Sequence, residues 1–187
     1  MQSEKTMHVP YIRIDARQQN ADKIIAAALN ARLELGVGSK IPFVLPKVMT
    51  ENNMASKRIL LFGAGGCGKS RCLFEMLRSR HPHKKICIIN PKGLAEGAKS
   101  KTGHLSEILD EKEYRDHTII WDNFPEGLKR RSTRSINLAI KMLGSCRRRV
   151  YISLCSRDQF EKTWLDAIMS ASTTSWYGFK TLRLRYE

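Results

Sequence analysis

The stretch Ile59-Leu60-Leu61-Phe62-Gly63-Ala64-Gly65-Gly66-Cys67-Gly68-Lys69-Ser70-Arg71-Cys72-Leu73-Phe74 decides how the rest of the chain is read. A short apolar run closed by glycine describes a buried strand. Gly63 to Ser70 then satisfies G-x-x-x-x-G-K-[ST], the Walker A pattern, and a helix is expected over residues 69–80. Glycines let successive backbone N–H groups converge on a phosphate chain, and the helix N-terminus adds partial positive charge. Lys69 is expected to reach the β- and γ-phosphates from an exposed site to which the core is indifferent. The Ser70 hydroxyl is expected to help hold Mg²⁺. Expected nucleotide contacts are Gly63, Ala64, Gly65, Gly66, Cys67, Gly68, Lys69, Ser70 and Arg71. Cys67 reads as a small filler or as a redox-sensitive thiol at a helix N-terminus.

Working outward, Thr118-Ile119-Ile120-Trp121-Asp122-Asn123 is an apolar strand ending in a carboxylate, the Walker B pattern. Asp122 is expected to hold the Mg²⁺ shell through Ser70 or a water. A glutamate directly after such an aspartate would polarise an attacking water, but that place holds Asn123, which cannot accept a proton. Glu126 is the nearest substitute carboxylate and Asp122 a weaker one, so slow hydrolysis or a catalytic group from a partner subunit is expected. A further strand, Val150 to Leu154, leads into Cys155-Ser156-Arg157-Asp158. Ser156 fits a sensor of the γ-phosphate, and Arg157 either completes that role or serves as an arginine finger. Arg147, Arg148 and Arg149 are rival finger candidates.

The remaining chain alternates strand and helix. Strands are expected at Ile59–Phe62, Ile86–Ile89, Thr118–Trp121, Val150–Leu154 and Thr181–Tyr186, with helices over residues 20–36, 69–80, 104–115, 132–146 and 160–169. Continuous apolar strands alternating with helices predict an α/β fold with a mostly parallel five-stranded sheet covered on both faces. Pro42, Pro46 and the polar run Thr50-Glu51-Asn52-Asn53 divide the chain into a helical N-terminal arm, residues 1–56, and a core, residues 57–187.

Charge narrows the function. The 187 residues carry 33 basic and 18 acidic side chains, a net +15 with histidine neutral. Residues 1–56 hold 7 basic and 5 acidic (+2), residues 57–122 hold 13 and 8 (+5), and residues 123–187 hold 13 and 5 (+8). The excess grows toward the C-terminal third, with clusters at Lys129-Arg130-Arg131 and Arg147-Arg148-Arg149. Such a field attracts phosphate polymers, so both clusters are candidate nucleic-acid contacts, for DNA more than RNA. No apolar run reaches membrane-spanning length and the start MQSEKTMHVP has no signal-peptide core, so a cytoplasmic or virus-associated protein is expected. An odd set of five cysteines and no CxxC pair argue against a disulfide framework and a zinc ribbon.

Together these motifs resemble the additional-strand P-loop NTPases, the class that holds AAA+ proteins, STAND switches, helicases and HerA/FtsK-type motors. The resemblance implies a three-layer αβα sandwich, ATP as the nucleotide and Mg²⁺ as the metal. The turn Asn90-Pro91-Lys92-Gly93 is similar to the DPKG turn of HerA/FtsK-type and viral genome-packaging ATPases, with Asn90 in place of the Asp. Ser156-Arg157-Asp158 is similar instead to the sensor segment of STAND proteins. The short core fits a packaging or translocation motor working as a homo-oligomeric ring. Alternatives are a STAND/AAA+-like nucleotide switch and a small-molecule kinase, for which Lys129–Arg134 is a poor lid.

Overall fold

The computed structural model describes residues 7–15, 17–29, 45–65, 67–80, 85–94, 98–110, 117–129, 132–155, 175–176 and 178–184. In chain order these form β1 (His8–Asp15), α1 (Ala21–Ala28), α2 (Glu51–Met54), β2 (Arg58–Gly63), α3 (Lys69–Arg80), β3 (Lys85–Ile89) and β4 (Lys101–His104). They continue through α4 (Leu105–Asp110), β5 (Thr118–Trp121), α5 (Thr133–Ser145), β6 (Arg149–Cys155), β7 (Ser175–Trp176) and β8 (Phe179–Arg183).

One mixed sheet has the order β4-β1-β3-β5-β6-β2-β8-β7. The five expected strands are its contiguous parallel block, β3-β5-β6-β2-β8. The sheet has eight strands rather than five, because β1, β4 and β7 add antiparallel pairings at its two margins.

Alternate side chains along the parallel strands feed two cores, as a sheet covered on both faces requires. Ile59, Leu61, Ile88, Ile120 and Tyr151 pack with Ile25 of α1 and Leu73 and Met76 of α3. Leu60, Phe62, Ile119, Trp121 and Ile152 pack with Ile108 of α4 and Ile136, Ile140 and Leu143 of α5. Ser132 caps α5 by accepting from the Ser135 N–H at 3.2 Å, which fixes where that helix starts.

Among the described residues of the expected arm, 1–56, β1 and α1 belong to the sheet and its core. Residues 11–15 of β1 pair antiparallel with β3, and Ile12, Ile14, Ile25 and Leu29 are buried in the core under α3. The sheet also explains β4. A Cβ at Gly103 would sit 2.9 Å from the Tyr11 ring, so the glycine lets this aromatic side chain cross the strand. The expected helix from His104 is observed as α4, Leu105–Asp110, and the last expected strand begins at Phe179. The helix expected over 160–169, the far half of that over 20–36, and the strand end at Arg185-Tyr186 lie outside the described residues. Among the described residues no helix is long and apolar enough to cross a membrane.

Candidate nucleotide site

β2 carries the chain from the core to the glycine loop. A Cβ on Gly63 would stand 2.6 Å from the Leu184 carbonyl oxygen and 2.8 Å from Cys67 Sγ, so only glycine fits there. Gly68 has φ +90°, a left-handed geometry that glycine adopts without strain, and its carbonyl accepts from the Cys72 N–H at 2.9 Å as α3 begins. Lys69, expected to be exposed, is 6% exposed. Its Nζ donates to the carbonyls of Gly63 at 2.8 Å and Ala64 at 2.9 Å, with Cys67 Sγ at 3.7 Å. The ammonium therefore lies inside the curve of the loop and ties its two ends together. Beneath the loop, burial together with the neighbouring Cys67 and Glu75 pushes the Cys72 thiol up to about 12.

β6 stands between β2 and β5, and the two motifs meet over its C-terminal part. Ser70 Oγ donates to Asp122 Oδ2 at 2.7 Å. Ser153 Oγ donates to Asp122 Oδ1 at 2.5 Å and accepts from the Asn123 N–H at 2.8 Å. Ser153 is fully buried, and its own carbonyl accepts from the Phe124 N–H. Sequence reading passed over this residue. Its signal was a lone hydroxyl within the apolar strand Val150-Tyr151-Ile152-Ser153-Leu154.

After Asp122 the chain turns through Asn123, at φ +55°, the cis Phe124-Pro125 bond and Gly127, at φ +100°. Glu126 is drawn toward β3 rather than β6. Its carboxylate pairs with Lys92 Nζ at 2.5 Å, and its carbonyl accepts from Trp121 Nε1 at 2.8 Å. Lys92, in the turn of Asn90 to Gly93, thus holds Glu126, the stronger candidate of the two carboxylates expected to replace a base at position 123.

Other expected site residues are scattered. Arg71 pairs with Glu75 at 2.7 Å and lies over the Phe74 ring, so its charge is engaged along its own helix. Lys129 and Arg147 are exposed and Arg149 is half-buried. Arg148 is 8% exposed and donates to the Ile108 carbonyl at 3.2 Å, which removes it from the candidate surface contacts and fingers. Lys129 precedes and Arg147 follows α5, whose 13 residues rise about 1.5 Å each, so these two residues are separated by a helix about 20 Å long. Gly66, Arg130, Arg131, Ser156 and Arg157 lie outside the described residues.

The donor set fits a small hard cation. Asp122 is 1% exposed and accepts from two hydroxyls, and among the described residues no cation pairs with it. A buried carboxylate of that kind gains from a metal ion. Mg²⁺ commonly takes one or two protein oxygens and completes its octahedron with phosphate and water, which Ser70 Oγ and Asp122 would permit. Among the described residues no group of three His, Cys, Asp or Glu side chains gathers for a softer metal. Comparisons with known protein families, curated proteins and solved structures return no match to this chain.

Proposed function

We propose that this chain is an ATP-binding P-loop NTPase of the additional-strand class that works with nucleic acid. The observation that carries the reading is the Ser70–Asp122 hydrogen bond at 2.7 Å, which joins the Walker A serine to the Walker B carboxylate across 52 residues of sequence. The strand order supports it as well, since β6 is the additional strand between the phosphate-loop strand and the Walker B strand. In this reading the backbone N–H groups of Gly63 to Ser70 cradle the phosphates, and Lys69 turns from the Gly63 and Ala64 carbonyls to the β- and γ-phosphates. Ser70 and Asp122 hold Mg²⁺, which neutralises charge on the transferring phosphoryl group. Ser156 and Arg157 are the proposed γ-phosphate sensor and finger. A homo-oligomeric ring that packages or translocates DNA is the biological setting.

One observation favours a second reading, a nucleotide-dependent switch. Position 123 is an amide, and Glu126 is bound to Lys92 on the far side of β5. A site so arranged binds nucleotide and hydrolyses it slowly. ATP turnover with and without duplex DNA or RNA separates the two. A motor is stimulated by the polymer, whereas a switch turns over at the same slow rate in both.

A further inference from the structure

The parallel block aligns the starts of its strands along one edge of the molecule. Register places Arg58 beside Val150, Lys180 beside Ile59, Arg149 beside Thr118, and Ile86 beside Thr118. Reading across the strands, that edge carries Lys180 on β8, Lys57 and Arg58 at β2, Arg147 and Arg149 at β6, and Lys85 on β3. Every parallel strand except β5 therefore has a cation as its first or second residue. Strands lie about 4.8 Å apart, so four gaps make a row about 19 Å long. One nucleic-acid strand advances about 3.4 Å per phosphate, so the row matches about six nucleotides.

The surroundings favour a polyanion. Lys57, Lys85 and Arg147 are exposed, and Arg58, Arg149 and Lys180 are half-buried. Arg58 is anchored by donating to the Cys146 carbonyl, so the row has a fixed point. Among the described residues, Asp15 and Asp110 lie beside it. Asp15, opposite Lys85 in the register, is bridged to Arg17 at 2.9 Å, and Asp110 lines a groove of about 750 Å³ with Ser106, Ser145, Arg147 and Arg148. The large apolar side chains exposed among the described residues are Leu45, Leu94 and Leu138, none of them in the row. A lipid surface or a protein partner would want apolar or aromatic anchors there, whereas a phosphodiester backbone needs only cations and hydrogen-bond donors.

We infer that the row of strand starts, centred on Lys57, Arg58, Arg147, Arg149 and Lys180, is the surface on which this chain holds a nucleic-acid backbone. It lies at the end of the sheet away from the glycine loop, about 17 Å along β2 from Arg58 to Gly63. The inference rests on the nucleic-acid part of the reading above and not on nucleotide binding.

The test uses the full chain and a fluorescent oligonucleotide of about 30 nucleotides, single-stranded and duplex, titrated from about 50 to 250 mM salt. One variant carries Lys57→Glu, Arg147→Glu and Lys180→Glu. Its control carries Lys129→Glu, Arg134→Glu and Arg183→Glu, the same charge change at exposed positions near the opposite end of the strands. The row variant is expected to bind at least about 100-fold more weakly at 50 mM salt, with a salt slope flatter by about 2.7, or 0.9 for each of three lost contacts. The control is expected to lose less than about 10-fold, the effect of net charge alone. Matching melting curves exclude unfolding. Equal losses in both variants, a larger loss in the control, or wild-type binding to anionic vesicles or polyglutamate but to neither oligonucleotide would overturn the inference. Titrating Mg·ATP into the same proteins reads the glycine loop separately. Absent nucleotide binding with row-dependent oligonucleotide binding would sink the NTPase reading and leave this one standing.

Discussion

Asn123 holds a left-handed backbone at φ +55°, and Asn90, at the end of the neighbouring strand β3, does the same at φ +59°. Asparagine tolerates that region because its short side chain bonds locally, whereas a longer side chain there costs about 1–2 kcal/mol. The amide at 123 thus has a backbone reason, and Asn123→Glu is expected to raise ATP turnover while losing about 1 kcal/mol of stability. Phosphate release and thermal unfolding read the two effects, and a lower rate would show that the base lies elsewhere. Ser153 gives a sharper test, because it fixes both Asp122 and the Asn123 N–H. Ser153→Ala leaves a buried acceptor and a donor without their partner, which costs about 1–3 kcal/mol and should raise the Mg²⁺ concentration needed for half-maximal turnover. Ser153→Thr keeps the hydroxyl and should restore the Mg²⁺ dependence, an outcome that mere loss of packing would not give.

At the scale of elements, the turns after β3 and β5 form a clasp. A Cβ on Gly127 would stand 3.1 Å from Asn90 Cβ, and φ there is +100°. Gly127→Ala is therefore expected to destabilise by more than about 1 kcal/mol, read as a lowered denaturant midpoint at unchanged slope. The Lys92–Glu126 pair is partly exposed, with relative side-chain exposures of 28% and 44%, so its own share of stability is under about 1 kcal/mol. Its importance is where it places Glu126. The glycine loop was legible in sequence because it depends on residue type at fixed spacing, and Asp122 was legible as a carboxylate ending an apolar strand. The Lys92–Glu126 pairing was not legible, since it depends on which turns the sheet order brings together. β4 escaped for a related reason. Lys101-Thr102-Gly103-His104 has no apolar alternation, and pairing with β1 makes it a strand.

For the whole molecule, the largest difference from the sequence reading is the incorporation of residues 8–15 into the sheet. Pro10 inside HVPYIRID hid a strand, because proline lacks an N–H and is expected at edges. Removing residues 1–17 would uncover the edge of β3 and strip Val9, Ile12 and Ile14 from the two cores. Such a chain is expected to aggregate or to lose its cooperative melt, whereas a detachable arm would leave the remainder folded. Nucleotide binding is the claim on which the functional account turns, and calorimetric titration of Mg·ATP into the full chain tests it directly. Lys69 holds two loop carbonyls and would lend its ammonium to the phosphates, so Lys69→Ala removes a charge-assisted contact of about 1.5–3 kcal/mol. The account predicts saturable wild-type binding, weakened about 10- to 150-fold in a folded Lys69→Ala protein. No binding by the wild type, or equal affinity in the two proteins, would contradict it.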